Sequence, residues 1–190
     1  MIRILIADDH PIVRQGFKQV LSDTADLLVA DEAGSGQEVL ALVAKKEYDA
    51  ILLDISMPGK SGLEVLKELK AVNPKIPVLI LSIYPEEQYA IRALKAGAAG
   101  YLTKASAPEE LISAIRKVSR GGKYISLSLA EKLAYEIDGD AEKAPHETLS
   151  DREYQILLMI ASGKTVSDIA EEVCLSVKTV STYRARILDK

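Results

Sequence analysis

The chain is poor in cysteine, in long apolar runs and in positive charge. Cys174 is the single cysteine of 190 residues, so no internal disulfide can close, and a reducing, cytosolic setting suits such a chain. No apolar stretch approaches the roughly 20 residues needed to cross a bilayer. The N-terminal run Ile2 to Ala7 turns acidic at Asp8 before the core of a signal peptide would be complete. There is no internal repeat and no low-complexity tract, which removes solenoid classes. A net charge of -4 argues against a polybasic coat for nucleic acid and leaves room only for a local basic surface.

What is present is enough apolar material for real cores. Hydrophobic residues make up 48% of the chain, and its length suits two small domains. Ile2 to Ala7, Leu27 to Ala33, Ala50 to Leu53, Pro77 to Leu81 and Ala99 to Leu102 are short apolar runs that predict buried strands. A helical pattern follows each. Pro11 fits the first turn of the first helix, with Val13, Phe17, Val20 and Leu21 on one side. Gly34-Ser35-Gly36 turns into a second helix with Val39, Leu42 and Val43 along one stripe. Ser61 and Glu64 form a capping-box pattern that opens the third, which ends near Asn73-Pro74. The fourth runs through Ile91 and Leu94 and stops near Gly97. The fifth follows a capping-box pattern at Ser106 and Glu109 and turns Leu111, Ile112, Ile115 and Val118 inward. Five strand-helix units predict a parallel sheet covered on both faces, because right-handed crossovers place a helix over the sheet each time.

Gly121-Gly122 ends the fifth helix. A short helix is expected over Leu129 to Ile137, and Asp138 to Pro145 is too polar to pack and reads as linker. Beyond it Ser150 and Glu153 form another capping-box pattern before Ile156, Leu157 and Ile160, with Gly163 as the stop. A second helix starts near Thr165 and carries Ile169, Ala170 and Val173. A third starts at Ser176, with Val177, Val180, Ile187 and Leu188 as its inward side and Met159 and Cys174 as further core. Short helices joined by tight turns predict a helix-turn-helix unit.

In an open α/β sheet, chemistry collects at the carboxyl ends of the strands. Asp8 and Asp9 leave the first strand, Asp54 the third, Ser82 the fourth and Lys104 the fifth. With a flavodoxin-like strand order these groups meet at one edge. Taken singly, each has a plain structural role: Asp8 or Asp9 as the cap of the first helix, Lys104 as a surface lysine, Ser82 as a turn residue and Tyr101 as core. Their joint placement points to a site. Crowded carboxylates repel unless a cation is present. Mg²⁺ suits them, since it takes oxygen ligands and commonly sits between one or two carboxylates and phosphate oxygens. Such an ion neutralises a phosphoryl group that the Asp54 carboxylate can attack, while Lys104 and Ser82 hold its other oxygens. Gly34-Ser35-Gly36 lacks both the third glycine of a dinucleotide loop and a Walker lysine. In Ser176 to Lys190, Lys178, Arg184, Arg186 and Lys190 stand against Asp189 alone. Lys178, Thr182 and Arg186 recur every four residues, away from Val180 and Ile187, on a face able to reach bases and phosphates together.

Ala7-Asp8-Asp9-His10, Leu53-Asp54-Ile55-Ser56-Met57-Pro58 with Gly62 after it, Ser82, and Tyr101-Leu102-Thr103-Lys104 form an ordered set that resembles the receiver domain of bacterial two-component response regulators. Leu149 to Glu153, Ile160 to Lys164, Ile169-Ala170 and Ser176 to Tyr183 are similar to the LuxR/FixJ-type DNA-binding domain, so the whole chain resembles a response regulator of the NarL/FixJ class. The resemblance implies a flavodoxin-like, doubly wound, five-stranded receiver over residues 1–121, a linker with a short helix over 122–147 and an all-α helix-turn-helix domain over 148–190. It implies phosphoryl transfer from a sensor histidine kinase to Asp54. Mg²⁺ would be held by Asp9, Asp54 and the Ser56 carbonyl with help from Asp8, and Lys104 would pair with the phosphoryl group. Ser82 and Tyr101 would act as a switch pair biasing the fourth helix and fifth strand. Lys178, Thr179, Ser181, Thr182 and Tyr183 would be recognition residues, with Arg184 and Arg186 as phosphate contacts. The implied protein is a cytoplasmic transcription regulator that forms homodimers on phosphorylation and binds promoter DNA. It would be no enzyme beyond its own phosphotransfer and dephosphorylation.

Three departures from the family pattern are visible. Ala105 stands where many receivers carry a proline, often cis, and a cis bond before alanine would cost about 3 kcal/mol. Tyr183 replaces a frequent histidine. The sequence ends at Leu188-Asp189-Lys190, where the family adds a turn and a fourth helix. Two other readings stay open: a phosphatase-like hydrolase with Asp54 as nucleophile, although Ser56 stands where its second aspartate is usual, and a phosphate-independent interaction module.

Overall fold

The five strands are β1 Ile2–Ala7, β2 Leu27–Ala33, β3 Ala50–Asp54, β4 Val78–Ser82 and β5 Gly100–Thr103, paired in parallel in the order β2-β1-β3-β4-β5. This is the flavodoxin-like order. The computed structural model describes residues 1–137 and 148–190 and separates into two compact units, Met1–Ala134 and Tyr135–Lys190. The polar stretch Asp138 to Pro145, expected as linker, lies outside the described residues.

In the first unit the strands alternate with α1 Pro11–Ser22, α2 Gly36–Val43, α3 Gly62–Val72, α4 Glu86–Lys95 and α5 Pro108–Ser119; α6 Leu127–Ile137 follows. Every residue of β3 is buried, as expected of a strand covered on both faces. Alternate strand residues serve alternate faces. Ile4, Ile6, Leu52, Leu79 and Leu81 form one core with Leu21 of α1 and Leu111, Ala114, Ile115 and Val118 of α5. Leu5, Ile51, Leu53, Val78 and Ile80, turned the other way, are equally buried, and α2, α3 and α4 bury Val39, Leu63, Leu66, Leu69, Tyr89 and Ala93. Each fully buried Leu or Ile contributes about 2 kcal/mol relative to exposure. The inner strands are therefore the most firmly held part of this unit, and their ends are a rigid place to mount a site.

Helix starts follow the capping patterns with one exception. Ser61 with Glu64 and Ser150 with Glu153 close complete capping boxes, and Thr165 with Asp168 closes a third. The box expected at Ser106 and Glu109 does not form: Ala107 is the N-cap, Pro108 takes the first helical position, and the Ser106 hydroxyl lies 3.3 Å from that of Thr103. Proline's fixed φ starts α5 one residue later than the box requires.

The second unit contains α7 Asp151–Ala161, α8 Val166–Glu172 and α9 Val177–Leu188 around Ile156, Met159, Ile169, Ala170, Val173 and Val180. Met159 is core as expected. Cys174 is not: it is exposed, in the turn between α8 and α9, with a φ of 52°. That turn needs a left-handed residue, which points the side chain out of the three-helix core. Val177 and Leu188, expected inward, are exposed as well. At 100° per residue Leu188 stands about 80° round the helix from Val180, so the buried stripe runs through Val180, Tyr183 and Ile187 instead. Among the described residues no helix is long and apolar enough to cross a membrane.

Candidate functional site

Register places the acidic groups. Ala7 is opposite Leu53, Asp54 opposite Leu81, and Ser82 opposite Thr103, so the exits of β1, β3, β4 and β5 share one edge of the sheet. Asp8 and Asp54 are almost fully buried there. Lys104 reaches in from the end of β5: its Nζ is 2.8 Å from Asp54 Oδ2 and 2.6 Å from Asp8 Oδ2. Burial dominates at Asp54 and lifts its carboxyl above the usual range, even with the Lys104 ammonium beside it. Burial pulls the Lys104 pKa down, but the two carboxylates outweigh it and hold the ammonium above its ordinary value. All described peptide bonds are trans, so Lys104 reaches both acids without the cis bond common in this loop.

Around this pair the backbone is tightly bound. The Ser56 N–H donates to Asp54 Oδ1 at 3.1 Å, and the His10 N–H donates to Asp8 Oδ1 at 2.9 Å. His10 is the N-cap of α1, without a side-chain cap bond, so neither Asp8 nor Asp9 serves as the helix cap. Gly62 lies so close beneath Asp54 that a Cβ would stand 2.0 Å from the Asp54 carbonyl oxygen, and the Gly62 N–H donates to the Ile55 carbonyl at 2.8 Å.

Several oxygens at this edge lack protein hydrogen bonds. Among the described residues these include Asp9 Oδ1 and Ser56 Oγ, whereas Asp8 Oδ2 has the Lys104 ammonium 2.6 Å away. Asp9 Oδ1 faces His10 Nδ1 at 2.8 Å, an ion pair only when the imidazole is protonated. Ligand atoms of Asp8, Asp9 and His10 lie within 4.8 Å of one another. An orphaned carboxylate oxygen at such an edge fits a small hard cation. The structure thus joins Asp8 to Asp54 through Lys104 and groups Asp9 with Asp8 and His10, leaving Asp54 outside that cluster with its Oδ2 committed to Lys104.

Ser82 and Tyr101 direct their hydroxyls to Tyr84 rather than to Asp54. The Ser82 hydroxyl, fully buried, accepts from the Tyr84 N–H at 3.1 Å, and the Tyr101 hydroxyl donates to the Tyr84 carbonyl at 2.8 Å. Burial raises the Tyr101 pKa, so the phenol remains a donor. Both residues therefore grip one point of the β4–α4 loop. Sequence reasoning assigned no role to His10, Tyr84 or Arg14, whose Nη1 donates to the Asp8 carbonyl at 2.7 Å. Backbone partners of this kind leave no residue-type signal, and only the position of Arg14 one turn after His10 hinted at its reach.

In the second unit Lys178, Thr179, Thr182, Tyr183 and Arg186 line one shallow depression on α9. Ser181 and Arg184, also expected at the interface, are exposed but outside it. Ser176 caps the helix through the Thr179 N–H, and the Thr182 hydroxyl donates to the Lys178 carbonyl. Tyr183 is half-buried against the core, with the Arg186 guanidinium 6.0 Å from its ring centre. Lys190 spends its charge on Glu153, at 2.6 Å, so the basic face is narrower than the charge count suggests.

Residues 4–116 match the response regulator receiver domain, and residues 147–190 match the luxR family of bacterial regulatory proteins. The chain is 41% identical to the response regulator GacA of Pseudomonas aeruginosa over 191 residues, covering 100% of this chain and 89% of that protein. It is 38% identical to the response regulator UvrY of Escherichia coli, covering 100% and 88%. Among solved structures, RcsB of Salmonella enterica serovar Typhimurium bound to a promoter is similar with a TM-score of 0.64 and 26% identity, over 98% of this chain and 90% of that one. A LuxR-family regulator from Aurantimonas gives 0.66 and 31%, over 72% and 98%. The chain belongs to the two-component response regulators that join a receiver to a LuxR-type helix-turn-helix domain.

Proposed function

We propose that Asp54 is the phosphoacceptor, taking its phosphoryl group from a sensor histidine kinase or a small phosphodonor, and that this charge controls promoter binding through α9. The observation that carries the reading is Lys104, whose ammonium bridges Asp54 and Asp8 at a buried strand edge, with the unpartnered Asp9 Oδ1 next to Asp8. Asp9, Asp54 and the Ser56 carbonyl, with help from Asp8, would hold Mg²⁺. When bound, that ion neutralises the charge gathering on the phosphoryl oxygens.

The chain's own groups do the rest. Asp54 forms the new oxygen–phosphorus bond as the bond to the donor's nitrogen or oxygen breaks, and the electron pair leaves with the donor. Lys104, already at Oδ2, is placed to pair with a phosphoryl oxygen. The Ser82 hydroxyl turns toward another and gives up the Tyr84 N–H, and Tyr101 follows. Lys178, Thr179, Ser181, Thr182 and Tyr183 would read bases, with Arg184 and Arg186 on phosphates. Residues 1–121 act as receiver and 148–190 as DNA-binding domain, with phosphorylation favouring a homodimer. A promoter ligand implies the cytoplasm, and the only chemistry is the receiver's own phosphotransfer and dephosphorylation.

The test is intact mass after incubation with acetyl phosphate and Mg²⁺, for the native chain and Asp54→Asn. One hydroxylamine-labile phosphoryl group in the native chain alone is expected. No gain in either, with Mg²⁺ binding demonstrated, would remove the phospho-switch.

A further inference from the structure

The segment gripped by Ser82 and Tyr101 leads straight into a second set of contacts. Tyr84 is followed by Pro85, the N-cap of α4, and then by Glu86 in its first turn. Glu86 Oε1 accepts from the Ser126 hydroxyl at 2.5 Å and from the Ser128 hydroxyl at 3.0 Å. Ser126 in turn accepts from the Leu129 N–H at 3.1 Å, so the same hydroxyl caps α6. One helical position further on, Glu87 Oε1 lies 3.5 Å from Lys132 Nζ on α6. Leu129 is buried, whereas Leu127 beside it is exposed, so α6 presents a fixed face at this point. The chain just before α6 is also held: the Tyr124 N–H donates to the Ala99 carbonyl at 2.8 Å, and Tyr124 pairs with Gly100 at the start of β5.

We propose that Glu86 with Ser126 and Ser128 is a latch that ties the helix leading out of the receiver to the first turn of α4, and that phosphorylation at Asp54 opens it. The inference rests on the phosphoacceptor reading for its trigger and goes beyond it in naming the contact that passes the signal on. A hydrogen bond from a hydroxyl to a charged carboxylate is roughly twice as strong as a neutral one, yet it depends on tenths of an ångström. When the Ser82 hydroxyl turns from the Tyr84 N–H, the loop that positions Glu86 loses one of its anchors. A shift of about 1 Å at Glu86 then breaks both hydroxyl contacts and leaves the α6 N-terminus uncapped by a fixed group. Because α6 precedes the DNA-binding unit in sequence, its release is the change at the receiver's exit that follows from phosphorylation.

The experiment is amide hydrogen exchange of the full chain, followed at residues 130–134 of α6, with phosphoryl occupancy read by intact mass. In the unphosphorylated state Glu86→Ala should speed exchange there about tenfold, and Ser128→Ala should do so less. Glu86→Gln, which keeps an acceptor but loses the charge, should fall between the native rate and that of Glu86→Ala. Mass-verified phosphorylated native chain should match Glu86→Ala, with no further change when that variant is phosphorylated. Unchanged exchange in Glu86→Ala, with native-like exchange elsewhere in α4, would overturn the latch. So would full α6 protection in the phosphorylated native chain. If mass shows no phosphoryl group, the phosphoacceptor reading fails, and the Glu86→Ala result still decides whether the latch exists.

Discussion

The Lys104 ammonium stands 2.8 Å from Asp54 Oδ2, and even so burial keeps the Asp54 carboxyl pKa above its usual 3.8. A carboxyl whose pKa is raised by folding binds more protons folded than unfolded. Stability therefore falls as pH rises from the unfolded value through the raised folded value, and the penalty is complete above it. Asp54→Asn removes the charge at nearly constant shape, while Lys104 keeps Asp8 at 2.6 Å as its partner. The variant should gain on the order of 1 kcal/mol at pH 7, a few degrees in melting temperature, and the gain should fade as pH falls toward 4. Thermal melts of both chains from pH 4 to 8 check this; a gain that grows toward acid would contradict it.

Gly62 offers a test of how the acid is held. An added methyl would meet the Asp54 carbonyl oxygen at 2.0 Å and the Ile55 Cα at 2.8 Å, both backbone atoms that cannot swing aside. Gly62→Ala should cost about 3 kcal/mol, at the upper end of overpacking. It should also slow phosphoryl uptake by displacing the peptide that carries Asp54. Denaturant midpoints and the rate of mass gain read the two effects separately, and a variant of native stability would refute the close contact.

Asp8, Asp54 and Lys104 are readable because an apolar strand ending in a polar residue announces a sheet edge, and the strand order then brings the edges together. The partners of Ser82 and Tyr101 are not readable, because both contacts go to the backbone of Tyr84, and any residue there except proline would supply the same N–H and carbonyl. Cys174 was misjudged for a related reason. Its apolar character suggests core, but the turn between α8 and α9 demands a left-handed backbone, and conformation overrode hydrophobicity. The Ser106 box failed because Pro108 decides where α5 starts. Strand and core positions obey periodicity, whereas loop and cap positions obey backbone geometry that residue types only partly encode.

The unpartnered Asp9 Oδ1 within a cluster of ligand atoms from Asp8 and His10 predicts metal dependence. Chelation with EDTA should abolish phosphoryl uptake from acetyl phosphate. Asp9→Asn, at a partly exposed position, should keep the fold while weakening Mg²⁺ binding at least tenfold. Calorimetric titration with Mg²⁺ measures the affinity, and circular dichroism checks the fold. Native affinity in Asp9→Asn would take that side chain out of the ligand set.

On α9 the residues expected at DNA divide into two kinds. Lys178 and Arg186 are exposed at the rim of the depression, so replacing either with alanine should leave stability within about 0.5 kcal/mol. Each should weaken DNA binding, and where the lost contact is to a phosphate the slope of log affinity against log salt should fall by about 1. Tyr183 is different, because it also packs against the core of Ile156, Ile169 and Val180. Tyr183→Ala should cost about 2 kcal/mol in the second unit, whereas Tyr183→Phe should keep stability and lose only what the hydroxyl contributes to DNA. Binding titrations at several salt concentrations, run beside thermal melts, separate the two kinds. If Tyr183→Phe bound as tightly as the native chain while Tyr183→Ala lost both stability and affinity, the tyrosine would be a packing residue that shapes the DNA face without touching a base.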